Sequence, residues 1–161
     1  MSLDTLNTAI TATGLLGCAW WAGAVASMSL YAVPAALSTG PEPQYALRAW
    51  NEVYNRGAAT GRPLALATFV SLGFVAYRQY QEHKPWKALL FAGASSVAII
   101  PFTMIFMVPT NNALLAAARG AVTISWTEAQ VLIERWKVLN MIRGLIPLTG
   151  GLIGMYAALA S

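Results

Sequence analysis

Charge is what this chain has least of. Only 10 lysines and arginines and 6 aspartates and glutamates occur in 161 residues, 10% of the sequence. An ordinary soluble domain carries about 25%. Hydrophobic residues make up 57%, more than a soluble fold of this length can hide in its core, so lipid must solvate part of the chain. Metal-binding side chains are equally scarce. A single histidine, His83, argues against a zinc or haem centre built on histidine. A single cysteine, Cys18, excludes an internal disulfide and a thiolate metal site. Glu52, Glu128 and Glu134 make no convincing iron site without histidines beside them. A phosphate-binding glycine loop, a nucleotide fingerprint, an HExxH helix and a Ser-His-Asp set are all missing. The formal net charge is +4, but the basic residues scatter among loops and helix ends. They read as membrane-flanking, and no nucleic-acid partner is expected. The first eight residues hold Asp4 and no lysine or arginine, so the first apolar stretch reads as a retained span rather than a cleaved signal.

What is present is four long apolar stretches, at about 10–37, 58–77, 86–108 and 138–160, each close to the ~20 residues that cross a bilayer. Backbone groups in lipid must be satisfied within their own segment, so each stretch is predicted helical. The expected fold class is all-α, an integral membrane four-helix bundle forming a single domain over 1–161. Small residues at Ala19, Gly23 and Ser27, and at Gly150 and Gly154, predict faces where helices approach closely. In the first long link Arg48, Glu52 and Arg56 lie four apart beside Trp50 and Tyr54, which predicts a short amphipathic helix lying in the interface. In the third link Ser125 and Glu128 form a capping box, predicting a helical extension that runs through Trp136 into the fourth span. The link at 78–85 reads as a plain solvated turn. Four spans place both long links on one side, with Arg48, Arg56, Arg62, Arg119, Arg135 and Lys137, which the positive-inside rule assigns to the cytosol. Val33-Pro34 and Val108-Pro109 end the first and third spans alike, an echo whose spacing is too loose to establish a repeat.

Three residues of the fourth helix suggest a site. Trp136, Asn140 and Arg143 fall at i, i+4 and i+7, on one face. Arginine and asparagine turned into a bundle can bind an oxyanion and orient an oxygen-bearing ligand, and an indole offers a stacking surface. Pro147 removes the hydrogen-bond partner of the Arg143 carbonyl and predicts a local break. The competing reading is that Arg143 snorkels to headgroups while Trp136 joins an aromatic belt. Asn111 and Asn112, after Pro109-Thr110, either cap the end of the third span or turn their amides into the mouth between helices. Asn51, Tyr54, Asn55 and Arg56 either polarise a phenol or anchor an interfacial helix. No strong general base is evident.

These residues resemble a family. Gly14, Gly17 and Gly23 in the first span, Trp50 to Tyr54 with Arg56-Gly57, Pro101-Phe102-Thr103, Pro109 to Asn112 with Leu114, and Arg135-Trp136 with Asn140 and Arg143 together resemble the anthrone oxygenase-like membrane proteins of polyketide secondary metabolism. The resemblance covers nearly the whole chain. It implies oxidation of an anthrone to an anthraquinone by molecular oxygen, with no metal, flavin or other cofactor. Under it, Arg143, with Arg56 as second choice, would stabilise the anthrolate oxygen. Asn140, Asn111 and Asn112 would hold the carbonyl and neighbouring phenols, with Asn51 among the substrate-binding residues. Trp136 and Trp50 would stack on the rings, and Tyr54 or a water would relay the proton. Expected partners are a small aromatic substrate, molecular oxygen and membrane lipid, with self-association as a homo-oligomer left open. In a eukaryotic cell the membrane would be the endoplasmic reticulum or a related endomembrane. The competing class is a non-catalytic membrane protein that binds a lipophile or anchors biosynthetic enzymes.

Overall fold

The computed structural model describes residues 3–160, and within them no strand occurs. The first helical run is α1 (Leu3–Ser27), a π segment (Met28–Ala32) and α2 (Val33–Leu37), followed by α3 (Pro43–Gln81). The third run is α4 (Lys87–Phe102), a second π segment (Thr103–Met107) and α5 (Val108–Ala118), and α6 (Trp126–Leu159) closes the chain. All four runs are long and apolar enough to cross a membrane, and only 28–33% of the most apolar part of each is buried. Leu16, Trp20, Phe74, Phe91, Ile105 and Leu152 stand exposed. Water penalises such surfaces and acyl chains cover them, so the chain reads as a multi-pass membrane protein.

Several expectations change. Residues 48–56 are helical, but they do not form a separate interfacial helix; they open the 39-residue α3. Ala46, Leu47 and Trp50 are fully buried, so this segment packs against protein rather than lying on a bilayer. Gly57 does not end the helix, and its bare Cα faces Met28: a Cβ there would meet Met28 Cε at 2.9 Å. The long links consequently shrink to 38–42 and 119–125.

The third span does not stop at Val108 either. In both interrupted runs the π segment widens one turn just before a Val-Pro pair. The Val33 N–H donates to the Met28 carbonyl and the Val108 N–H to the Thr103 carbonyl, each five residues back. Pro34 and Pro109 then fall in the first turn of a new α-helix, where a missing N–H is tolerated. Pro109 to Asn112 thus lie inside α5, not past a helix end. The Val-Pro echo has a structural meaning after all. Helix α6 likewise runs without interruption through Pro147.

The chain divides into two compact units. One comprises the described residues within Met1–Gly23, Gly61–Ile100 and Gly144–Ser161. Close helix contacts hold it together. A Cβ on Gly14 would meet Leu72 at 2.6 Å, one on Gly151 would meet Cys18 at 2.8 Å, and one on Gly154 would meet Ala92 and Leu15 at 2.9 Å. Gly150 and Gly154 therefore line a contact face, as their spacing predicts. On α1 the expected face is wrong: Ala19 is exposed and nothing lies within 4 Å of a Cβ on Gly23. The packed positions are Gly14, Gly17, Cys18 and Trp21, and at about 100° per residue Gly23 points roughly 180° away from Gly14.

The second unit comprises Ala24–Thr60 and Pro101–Arg143. Its core gathers Val33, Leu47, Trp50, Met107, Leu114, Ile133 and Trp136. The capping box forms as predicted: the Ser125 N–H and Oγ donate to Glu128 Oε2 at 2.8 and 2.7 Å, and the Glu128 N–H donates to Ser125 Oγ at 3.2 Å. Gly120, at φ +73°, closes α5, with the Ala121 N–H bonded to the Ala116 carbonyl at 3.0 Å.

Candidate functional site

The second unit contains a buried polar network beside its largest aromatic side chains. Asn140 is 0% exposed, one turn below Trp136 on α6. Its Nδ2 donates to Ser29 Oγ at 2.9 Å and to the Val25 carbonyl at 3.3 Å. Its Oδ1 accepts from Arg143 Nη2 at 2.6 Å, the short distance of a charge-assisted bond. Arg143 Nη1 donates to Thr103 Oγ1 at 3.4 Å. Both ends of this guanidinium are thus tied to protein oxygens, so the side chain is held inside the unit rather than released to headgroups. The two π segments supply the anchors, Ser29 from the first and Thr103 from the second. A π turn displaces side chains from the regular 100° progression, and such turns recur at functional sites.

Aromatic rings form the neighbouring wall. Trp50 and Trp136 meet edge to face with centroids 5.8 Å apart, and Tyr54 stacks on Trp50 at 5.2 Å and 22°. Trp50 is 0% and Trp136 2% exposed, yet neither indole Nε1 has a hydrogen-bond partner among the described residues. Asn111 Oδ1 and Thr110 Oγ1 are buried in the same condition. They precede Leu114 by one turn of α5, and Leu114 belongs to the Trp50–Trp136 core. Each such orphan costs about 1–3 kcal/mol unless something pairs with it. Two donors, an acceptor and a hydroxyl therefore stand ready for a ligand that carries both kinds of group. Tyr54 completes the set within electrostatic reach of Arg143.

The structure brings together Trp50, Tyr54, Trp136, Asn140 and Arg143, with Asn111 on the adjoining face of α5. It does not bring in Arg56, whose side chain is 83% exposed and whose Nε pairs with Glu52 at 3.3 Å. Asn112 is exposed and Asn51 half-buried. Ser29 and the Val25 carbonyl were not singled out by sequence, and Thr103 and Thr110 were part of quoted motifs but carried no role; the two Val-Pro pairs were the available signal. Among the described residues no three His, Cys, Asp or Glu side chains cluster closely enough to hold a metal ion.

The fold and site define a helical protein with four membrane-length spans and a part-buried arginine bonded to a buried asparagine beside two buried indoles. Comparison with known proteins gives this class its name. Residues 50–153 match the family model for anthrone oxygenase, and the chain belongs to that family. It is similar to an anthrone oxygenase of Pestalotiopsis fici, 37% identical over 138 residues, covering 82% of this chain and 98% of that protein. An anthrone oxygenase of Paecilomyces divaricatus is 36% identical over 154 residues, 92% and 94% of the two chains. A noranthrone monooxygenase of Aspergillus flavus is 33% identical over 137 residues, 83% of this chain and 65% of that one. No solved structure matches the chain.

Proposed function

We propose that this protein is a membrane-bound monooxygenase that oxidises an anthrone-like polycyclic phenol to a quinone with molecular oxygen, in polyketide metabolism. The observation that carries the reading is the Arg143–Asn140 pair, anchored by Ser29 and Thr103, in a chain of the anthrone oxygenase family. An anthrone loses a methylene proton readily because the resulting anthrolate is aromatic. The anthrolate gives one electron to dioxygen, and the radical and superoxide combine with formation of a C–O bond. Protonation yields a hydroperoxide, and loss of water leaves the second carbonyl. In sum, anthrone and O2 become anthraquinone and water.

The protein's part is to stabilise the anion and hold the rings. Arg143 lies against the anthrolate oxygen, and Asn140 fixes the guanidinium so that no reorganisation is needed when charge develops. The indole N–H groups of Trp50 and Trp136 donate to ring oxygens, and Asn111 Oδ1 accepts from a phenolic hydroxyl. Tyr54, stacked on Trp50, passes the methylene proton to water and returns a proton to the peroxide. The scheme draws its electrons from the anion alone and uses no metal or flavin. Lipid solvates the spans, and in a eukaryotic cell the membrane is the endoplasmic reticulum or a related endomembrane.

The test uses full-length protein purified in detergent, treated with chelator and free of flavin absorbance. A hydroxylated anthrone should give quinone with saturation kinetics above its spontaneous oxidation, one O2 consumed per quinone. Arg143→Ala should lower kcat by about 10²–10³-fold with the fold intact by circular dichroism. A rate equal to the protein-free control, or an unchanged Arg143→Ala, overturns the reading.

A further inference from the structure

Asn140 can hold Arg143 only if its oxygen, and not its amino group, faces the guanidinium. The two ends of a primary amide have nearly the same shape, so packing does not choose between them and hydrogen bonding must. Nδ2 carries two N–H donors. The first helical run offers it two acceptors one turn apart, the Val25 carbonyl at 3.3 Å and Ser29 Oγ at 2.9 Å. With Nδ2 turned that way, Oδ1 is left to accept from Arg143 Nη2 at 2.6 Å.

Turning the amide over would set Oδ1 against the Val25 carbonyl, lone pair to lone pair, and Nδ2 against a cationic N–H donor. The carbonyl can only accept, so it sets the sense of the amide. Ser29, in the first π segment, supplies the shorter of the two bonds and holds the amide there. Ser29 is 1% and Asn140 0% exposed, so no bulk water replaces a partner that is lost. The same geometry dictates the charge at position 140. An aspartate would put a carboxylate oxygen against the Val25 carbonyl and pair Arg143 with a full negative charge. The amide instead orients the guanidinium through a neutral oxygen, and Thr103 Oγ1, which Arg143 meets at 3.4 Å, is neutral as well.

We propose that Ser29 is a positioning residue of this site: with the Val25 carbonyl it locks the Asn140 amide, so that a neutral oxygen holds Arg143 and the guanidinium is aimed at an anionic oxygen of the ligand. The proposal rests on the reading of Arg143 as the anion-binding group. Ser29 meets no ligand itself and acts through Asn140.

The experiment measures binding to the full-length protein in detergent by tryptophan quenching. The probes are a hydroxyanthraquinone held as its phenolate and the methyl ether of the same compound, at one pH. Both are already oxidised, so binding is read apart from turnover. The unaltered chain should bind the phenolate more tightly than the ether. Ser29→Ala should cut that preference by about 3–10-fold, the scale of one hydrogen bond, with affinity for the ether within about twofold. In an Asn140→Ala background the same substitution should change the preference by less than about twofold. Asn140→Asp should abolish the preference, because the carboxylate neutralises the guanidinium it holds.

An undiminished preference in Ser29→Ala overturns the positioning role, and so does a loss of equal size with and without Asn140. A preference that survives Asn140→Asp overturns the need for a neutral acceptor. Equal binding of both probes by the unaltered chain overturns Arg143 as the anion-binding group, and the role of Ser29 falls with it. A phenolate preference that depends on Ser29, in a chain that forms no quinone, would uphold the positioning role and overturn the oxidation.

Discussion

Replacing Asn140 by alanine removes the acceptor of Arg143 Nη2 at 2.6 Å and the donor to Ser29 Oγ at 2.9 Å in one step. A hydrogen bond to a charged group contributes about 1.5–3 kcal/mol. If Asn140 acts by holding the guanidinium, losing that bond lowers kcat by roughly 10–150-fold, since about 1.4 kcal/mol is tenfold. The Thr103 contact, at 3.4 Å, is a longer and weaker tether than the one lost. KM should move little, because the indole wall is untouched. The decisive measurement is a double-mutant cycle with Arg143→Gln, reading quinone formation by absorbance at saturating anthrone. In the Arg143→Gln background, Asn140→Ala should cost less than about twofold, because the group it positions is gone. Losses that multiply instead would show that Asn140 acts on the substrate directly, and the positioning role would be refuted.

Three further outcomes are expected. Trp50→Phe keeps an aromatic ring and removes an indole N–H that has no partner among the described residues; it should raise KM by about 2–10-fold, one hydrogen bond's worth, with unfolding changed far less than by Trp50→Ala. An unaltered KM by steady-state kinetics would remove the indole from substrate binding. Arg56→Gln breaks an ion pair whose side chains are 83% and 66% exposed, so kcat/KM should stay within about twofold and stability within about 1 kcal/mol; a large activity loss would bring Arg56 back into the site. Gly150→Val drives a side chain into Ser95 and should destabilise the protein by about 1–3 kcal/mol in a thermal melt in detergent, whereas Gly23→Val, with nothing within 4 Å, should not.

The sequence made some of this legible for clear physical reasons. Apolar runs near bilayer length force helices, and all four were found. Trp136, Asn140 and Arg143 share a face by helical arithmetic alone, and the structure keeps them together. The capping box at Ser125 was readable because it is a local motif of four residues. What was not readable depends on distant pairing. The burial of Ala46, Leu47 and Trp50, which merges the first link into α3, is set by partners on other helices. The packed face of α1 is set by Leu72 and Thr68, which Gly14 and Gly17 meet, and small-residue spacing alone favoured the opposite face. Ser29 looked like an ordinary span residue, since a π turn leaves no mark in hydropathy.

The two π segments have a consequence for how this site tolerates change. A wide turn holds a residue more than an α-helical turn needs, and deleting one residue within Met28–Ala32 would let the helix close to regular α geometry. The flanking helices would keep their register, because the widened turn absorbs the extra residue, while side chains inside the turn would change their facing by up to about 100°. Ser29 would swing off Asn140, although no residue of the network had been substituted. The same holds for Thr103 and a deletion within Thr103–Met107. Chain length at these two places is therefore as much a part of the site as side-chain identity.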